Sequence, residues 1–220
     1  MSTPTALHAK TPARIVVLVS GAGTNMQALL EACRDEAYGA DVVAVGADRE
    51  RASGLRIAEA ASIPTFVREL RSFPTREHWN ASMRHAVASY RPDIVVLAGF
   101  LKLLSDDFLE AFPYRVINTH NSLLPSFPGI DAPAQALAHG VKVTGATLFV
   151  VDSGTDTGAI LAQATCPVLP ADTEDSLLER IKGIERQQLV EAVGDMARRG
   201  WWVDGRQAGI GEWKGNDVRA

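Results

Sequence analysis

The feature that most constrains the fold is a short apolar run near the N-terminus that ends at a glycine loop. Residues 14–20 have the sequence R-I-V-V-L-V-S, which is almost continuously apolar. A strand covered on both faces has this composition, whereas a half-exposed strand alternates apolar and polar residues. Since burial on both faces is typical of parallel sheets flanked by helices, the run predicts a central strand of a parallel α/β sheet.

Strands and helices alternate through the first 120 residues. Four further strands are predicted at 41–46, 63–67, 93–98 and 115–118. Helices are predicted between them at 25–34, 54–61, 75–90 and 105–112, the third with Thr75 as N-cap. This alternation is the signature of an open, doubly wound sheet.

The remaining elements extend this plan. A short helix is predicted at 134–139, and strands at 143–151 and 159–168 have the spacing of an antiparallel pair. Thr173 caps the longest helix, which continues to Arg199. A final hairpin or extended tail covers 201–214. The predicted fold class is therefore α/β: an open, mostly parallel, doubly wound (Rossmann-like) sheet with a C-terminal antiparallel strand pair and a long helix.

Composition limits the function classes. A chain of 220 residues without an internal linker predicts one domain at 14–220, preceded by a flexible tail at 1–13. The net charge of −4 argues against nucleic acid as a partner. No apolar run approaches the length of a membrane span. Cys33 and Cys166 stand far apart, which predicts free thiols in a reducing cytoplasm and no metal site.

The glycine loop S-G-A-G-T-N at 20–25 joins the first strand to the first helix. Backbone N–H groups at such a helix start favour a phosphate. Met26 stands where a dinucleotide site needs its third glycine, so a single phosphate bound by Gly23, Thr24 and Asn25 is the favoured interpretation. The alternative is a tight turn without a ligand. Asp48, past the second strand, is a candidate for a ribose hydroxyl or simply a surface acid.

A polar pair ends the fifth strand in V-I-N-T-H-N-S-L-L-P-S-F-P-G at 116–129. Asn118 and His120 are two residues apart, so on an extended chain their side chains point the same way. An amide N–H can hold an oxyanion, and an imidazole can donate a second bond or carry a proton. Asp156, on a later strand-to-loop junction, favours the protonated imidazole if it reaches it. No serine or cysteine stands in a nucleophile elbow, which favours direct transfer between two bound substrates. The alternative for His120 alone is an ordinary core or loop histidine.

Three motifs, I-N-T-H-N-S-L-L-P-S-F-P-G, V-T-G-A-T-L-F-V-V-D-S-G-T-D-T-G and S-G-A-G-T-N, resemble those of the folate-dependent formyltransferases. The resemblance runs from about Arg14 to Arg199, with the motifs in the family's order. It is strongest to the branch that acts on glycinamide ribonucleotide. It implies a Rossmann-like formyltransferase fold and transfer of a formyl group from 10-formyltetrahydrofolate, as co-substrate, to the primary amine of that ribonucleotide in purine synthesis.

The resemblance also implies residue roles. Asn118, His120 and Asp156 match the family's catalytic trio. Gly23, Thr24 and Asn25 match its phosphate loop, Glu185 matches the acid that binds the ribose hydroxyls, and Lys182, one turn earlier on the same helix face, adds charge to the phosphate site. Phe100, Leu101, Lys102, Leu103 and Leu104 match the apolar folate segment, and Arg76 matches a basic residue near the folate's acidic tail. For Lys182 and Glu185 the alternative is a solvated helix face.

The chain departs from the family pattern at two places. Ile130-Asp131-Ala132-Pro133 replaces a loop that carries one or two histidines in many relatives, and Phe149 replaces a histidine near the catalytic strand. Neither position belongs to the trio, so the departures concern the loop's contacts and the proton relay. Small-molecule substrates are the expected partners, and the family analogy is compatible with a homodimer.

Four other functions are open to a chain of this kind. A formyltetrahydrofolate deformylase, a hydrolase, would use the same trio but usually carries an N-terminal regulatory domain, for which we expect no room before Arg14. A methionyl-tRNA formyltransferase would carry an extra C-terminal domain and a basic surface. A nicotinamide-dependent oxidoreductase is disfavoured by Met26. A non-catalytic nucleotide-binding module would not need the trio.

Overall fold

The structure is a computed structural model that describes residues 4–213. Within this range it contains one ten-stranded sheet. In chain order the strands are β1 Thr5–Leu7, β2 Ala13–Val19, β3 Ala40–Ala47, β4 Thr65–Val67, β5 Ile94–Leu97, β6 Val116–His120, β7 Val143–Val150, β8 Ile160–Pro167, β9 Trp201–Asp204 and β10 Gln207–Ile210.

The α-helices are α1 Thr24–Ala32, α2 Ser53–Ala60, α3 Arg76–Ser89, α4 Asp106–Ala111, α5 Ala132–Ala138 and α6 Glu174–Arg199, and two short 3-10 helices lie at Glu36–Tyr38 and Leu70–Ser72. The Thr75 hydroxyl accepts the His78 N–H at the start of α3. Thr173 and Ser176 form a reciprocal capping box at the start of α6. Both capped helix starts confirm the sequence prediction.

The strand order is β1-β9-β10-β8-β7-β6-β5-β2-β3-β4, and the segment from β6 to β4 is parallel throughout. Strand β7 runs antiparallel to both β6 and β8. Alternate residues of β2 enter two separate cores: Ile15 and Val17 pack with α1, α2 and α6, whereas Val16 and Leu18 pack with α3 and α4. Strand β2, the first strand that the sequence predicts, is therefore covered on both faces, and the predicted doubly wound fold class is confirmed.

The prediction of a flexible N-terminal tail is wrong for residues 5–7. These residues form strand β1, which pairs antiparallel with β9, and Leu7 is buried in the core. The partner strand is almost two hundred residues away, so no local pattern identifies it. The predicted C-terminal hairpin is present as β9 and β10. Residues 1–3 and 214–220, which include the ends of the predicted tail and domain, lie outside the described range.

Two findings concern the described residues as a whole. None of the helices within 4–213 combines the length and apolarity needed to cross a bilayer. The same residues contain no group of three or more His, Cys, Asp or Glu side chains arranged to hold a metal ion.

Candidate active site

A cavity of about 520 Å³ opens at the carboxyl ends of the parallel strands, where open α/β sheets bind ligands. It brings together most of the residues that the sequence singled out. Those that line it are Gly23, Thr24, Asn25, Phe100, Leu101, Lys102, Leu103, Leu104, Asn118, His120, Asp156, Lys182 and Glu185. Arg76 does not line it. One continuous space therefore connects the glycine loop, the end of β6 and the apolar segment after β5.

The glycine loop presents an uncapped helix start to the cavity. Gly23 is the N-cap of α1 with φ of 74°, and no side chain caps the helix. A Cβ at this position would lie 2.7 Å from the Cα of Gly54, so the loop needs glycine for both its backbone angle and its close approach to α2. The first turn of α1 carries no acidic residue. Free N–H groups and the positive end of the helix dipole make this a favourable place for an anion.

His120 lies between two hydrogen-bond acceptors. Its Nε2 donates to the carbonyl oxygen of Phe127 at 2.8 Å, and its Nδ1 lies 3.6 Å from Oδ2 of Asp156. The second distance is in the ion-pair range but longer than a hydrogen bond. Both neighbours are acceptors, so each ring nitrogen of His120 faces an oxygen that an N–H group can approach.

Asp156 is fixed by the backbone rather than by another side chain. Its Oδ2 accepts the N–H of Gly129 at 2.8 Å, and its own φ is 54°, a left-handed conformation that Asp and Asn tolerate better than most residues. The His120 and Asp156 side chains are only 10% and 13% exposed. The ion pair is therefore held in a partly dry wall of the cavity, where charges interact more strongly than in water.

Asn118 is half-buried in the cavity wall, and its side chain makes no hydrogen bond within residues 4–213. Its neighbour across the sheet is Phe149, which is almost fully buried and also lines the cavity. An amide without a protein partner in such a wall can donate to a ligand atom. The apolar ring beside it leaves no second polar group at that strand position to compete for the bond.

Glu185 is buried and does not lie on a solvated helix face, which was the alternative interpretation of this residue. It is 5% exposed, and its Oε1 accepts from Nδ2 of Asn25 at 2.6 Å and from the hydroxyl of Thr119. The Asn25 amide is thus engaged with Glu185, so its backbone N–H is the group left for a phosphate. Lys182, one turn earlier on α6, pairs with Glu179 at 2.8 Å on the cavity rim.

The apolar segment after β5 forms the open side of the cavity. Leu101 and Leu103 are 72% and 63% exposed, whereas Phe100 is buried and stacks on Trp79 with ring centroids 6.5 Å apart. Arg76 is exposed and donates to the carbonyl oxygen of Leu103 at 2.7 Å. Arg76 therefore braces this segment from outside the cavity wall, and contact with a folate tail stays a prediction.

Asp48 does not line the cavity, but through Ser20 it is linked to the apolar segment that does. Burial would raise the pKa of Asp48, but hydrogen bonds from Arg49 and Ser20 hold it below its ordinary value. The same Ser20 hydroxyl accepts the N–H of Leu101 at 2.9 Å. Asp48 thus anchors the start of the apolar segment, and the ribose interpretation of this residue finds no support in its position.

The loop that departs from the family pattern lies at the cavity mouth. Ile130 is 80% exposed and lines the cavity, and Asp131 adopts a left-handed conformation with φ of 60° just before α5. The loop therefore offers an apolar side chain, Ile130, to the cavity mouth.

Sequence reasoning missed several contributors. Arg186 follows Glu185 on α6 and lines the cavity, and Thr119 holds Glu185 from β6. Arg186 was detectable as the residue four positions after Lys182 on the same helix face. No sequence pattern predicts the roles of the Thr119 hydroxyl and the Phe127 carbonyl, because both roles depend on contacts that form only in the folded chain.

Comparison with known proteins agrees with this geometry. The family model for "Formyl transferase" matches residues 13–193. A phosphoribosylglycinamide formyltransferase from Mycobacterium tuberculosis (strain ATCC 25618 / H37Rv) is 49% identical over 96% of this chain and 97% of its own length. The enzyme of the same name from Escherichia coli (strain K12) is 35% identical over 87% of this chain and 88% of its own.

Solved structures give the same result. The crystal structure of glycinamide ribonucleotide transformylase 1 from Symbiobacterium toebii superposes with a TM-score of 0.87 at 40% identity, covering 91% of this chain and 94% of that one. Residues 13–193, which the family model matches, include both halves of the cavity, from the glycine loop to α6. The chain therefore belongs to the formyl transferase family.

Proposed function

We propose that the protein transfers the formyl group of 10-formyltetrahydrofolate to the primary amine of glycinamide ribonucleotide, giving the formylglycinamide ribonucleotide and tetrahydrofolate in purine synthesis. The observation that carries the proposal is a single cavity in which an anion site, an unpartnered amide and a histidine–carboxylate pair meet. The close similarity to enzymes named for this activity supports it.

The ribonucleotide end is the glycine loop with the facing turn of α6. Its phosphate would accept from the backbone N–H groups at the start of α1, with Lys182 and Arg186 adding positive charge. Glu185 would accept from a ribose hydroxyl through its Oε2, which makes no hydrogen bond within residues 4–213. Such contacts would direct the amine of the phosphorylated substrate towards the end of β6.

The folate end is the segment 100–104. Exposed leucines on an open cavity wall suit a planar aromatic ligand, since such a ligand buries apolar surface on both sides. Lys102 belongs to this segment, and Arg76 donates to the carbonyl oxygen of Leu103 in it. Both would offer positive charge to the ligand's carboxylates. We include both in the proposed folate site on this basis of charge.

The chemistry requires an oxyanion site and a route for one proton. The substrate nitrogen attacks the formyl carbon, and the carbonyl oxygen becomes an oxyanion. This oxyanion would accept from Asn118 and from the Nδ1–H of protonated His120, because the Nε2–H is taken by the Phe127 carbonyl oxygen. The bond from the formyl carbon to the folate nitrogen then breaks, and that nitrogen gains the proton that the amine loses. Asp156 stabilises the charged His120 and assists the proton transfer, with water as an intermediate carrier.

The test is to follow tetrahydrofolate release from 10-formyltetrahydrofolate with and without glycinamide ribonucleotide. We expect release only when the ribonucleotide is present. Release at the same rate without it would identify a hydrolase and refute the proposal.

Two further expectations accompany this function. We propose a cytoplasmic location, which is supported by two free cysteines and by relatives that act in biosynthesis. A homodimer stays a prediction, and sedimentation equilibrium would decide it.

A further inference from the structure

Thr119 lies between Asn118 and His120 but points to the opposite side of β6. Ile117 packs in the core beneath α1 and α6, and Thr119 shares its side of the strand because successive side chains alternate. Asn118 and His120 share the other side with Val116, which packs in the core beneath α3 and α4. Thr119 therefore extends towards the glycine loop and α6.

One carboxyl oxygen joins these three elements. The Thr119 hydroxyl and the Asn25 amide both donate to Oε1 of Glu185, and Glu185 is almost fully buried. Two donors on one oxygen fix the rotation of the carboxyl group about its last bond. The other oxygen, Oε2, makes no hydrogen bond within residues 4–213, although the residue lines the cavity.

We propose that Thr119 is a positioning residue for the ribonucleotide site. It holds the Glu185 carboxyl so that Oε2 faces the cavity and accepts from a hydroxyl of the phosphorylated substrate. This inference rests on the proposed function. Thr119 lines the cavity, but its hydroxyl donates to Glu185. It therefore acts on ribonucleotide binding through Glu185, while its strand neighbours act on the formyl group.

The energetics favour an effect on binding. Loss of a hydrogen bond to a charged acceptor in a buried site lowers affinity by about tenfold or more. Loss of the Thr119 hydroxyl leaves the hydrogen bond from Asn25 to the Glu185 carboxyl in place. The carboxyl therefore gains rotational freedom but keeps one hydrogen-bond partner. A change of about tenfold in ribonucleotide affinity is the expected size.

The test compares Thr119→Val, which keeps the shape and removes the hydroxyl, with Thr119→Ser, which keeps the hydroxyl. Thr144→Val is the matched control, because the Thr144 hydroxyl is buried on β7 and has no hydrogen-bond partner among the described residues. In Thr119→Val we expect KM for glycinamide ribonucleotide to rise about tenfold, with kcat and the folate KM within about twofold of wild type. Thr119→Ser should recover most of the loss, and Thr144→Val should leave all three values unchanged.

Calorimetric titration without folate separates this inference from the proposed function. Thr119→Val should weaken binding of ribose 5-phosphate about tenfold and leave binding of inorganic phosphate unchanged, since only the former carries ribose hydroxyls that can reach Glu185 from the phosphate site. An unchanged ribonucleotide KM and unchanged ribose 5-phosphate affinity would overturn the inference. A parallel loss in both KM values and kcat would assign Thr119 a general structural role and overturn it as well. If the wild-type protein failed to formylate the ribonucleotide, the proposed function would fail, while the ribose 5-phosphate titration would still decide the role of Thr119.

Discussion

Replacement of Asp156 by Asn removes the charge that faces His120 and leaves the surrounding structure intact. The side-chain oxygen of the introduced amide can still accept the Gly129 N–H, a hydrogen bond now made at 2.8 Å to the carboxylate. Asn also tolerates the left-handed backbone of this position, where φ is 54°. Asp156→Asn is therefore a cleaner variant than Asp156→Ala, which would lose the hydrogen bond and strain the backbone.

The magnitude follows from the distance between the two charges. At the 3.6 Å that separates Nδ1 from Oδ2, opposite unit charges attract by about 4–5 kcal/mol at an effective dielectric constant of about 20. Water entering the open cavity screens part of this energy. Since each 1.4 kcal/mol or so of transition-state energy changes the rate tenfold, we expect kcat to fall by about 10²- to 10³-fold.

The assay is steady-state tetrahydrofolate release at saturating concentrations of both substrates, with thermal unfolding measured in parallel. We expect both KM values to stay within about threefold of wild type, because the charge acts mainly on the transition state. Asp131→Asn is the matched control: Asp131 has the same left-handed backbone, with φ of 60°, and does not line the cavity. A kcat loss below about fivefold in Asp156→Asn, with unchanged stability, would refute the assigned role of the ion pair.

Three further predictions concern the rest of the molecule. In Gly145→Ala the added Cβ would clash with the main-chain carbonyl oxygen of Ala164 on the neighbouring strand, so urea unfolding should show a loss of stability of about 1–3 kcal/mol. In Gly183→Ala the added Cβ meets nothing within 4 Å on α6, so stability should instead rise by up to about 1 kcal/mol. Equal effects of the two variants would contradict the packing of β7 against β8. Hydrogen bonds from Arg180 lower the pKa of Asp172 from 3.8 to about 2, so the contribution of Asp172 to stability is present above pH 4 and is lost as the pH falls through 2. The free energies of unfolding of wild type and Asp172→Asn, measured in urea, should therefore converge over that range. A constant difference between them would count against the Arg180–Asp172 pairing. Burial raises the pKa of the Cys33 thiol to about 11. Alkylation of Cys33 at pH 8, followed by mass spectrometry, should therefore be much slower in the native protein than in the urea-unfolded protein. Comparable alkylation rates in the two states would contradict the burial of Cys33.

Local sequence patterns were sufficient for the elements whose signals are local. The apolar run of β2 identified a strand covered on both faces, and Thr173 identified the start of α6. Strand β1 had no such signal, since three residues with one buried leucine become a strand only by pairing with β9. Strand order likewise depends on pairing between distant segments. The alternation of strands and helices in the first 120 residues therefore predicted the doubly wound class but not the order of the ten strands.

The candidate site divides in the same way. Asn118 and His120 were predictable as a pair because the two-residue strand period puts them on one side. The burial of Glu185 was not, because its bonds to Asn25 and Thr119 join segments far apart in sequence. The position of Arg76 outside the cavity likewise depends on how α3 packs against the segment after β5. Contacts between distant elements, and not residue types, set the limit of prediction.

The central claim is that the formyl group passes to an amine and not to water. The most direct measurement supplies 10-formyltetrahydrofolate labelled with ¹³C in the formyl group, together with glycinamide ribonucleotide, and follows the label by NMR. We predict that the label appears in the formamide carbon of the ribonucleotide product, one for each tetrahydrofolate released. Appearance of the label as formate, with the ribonucleotide unchanged, would contradict the account.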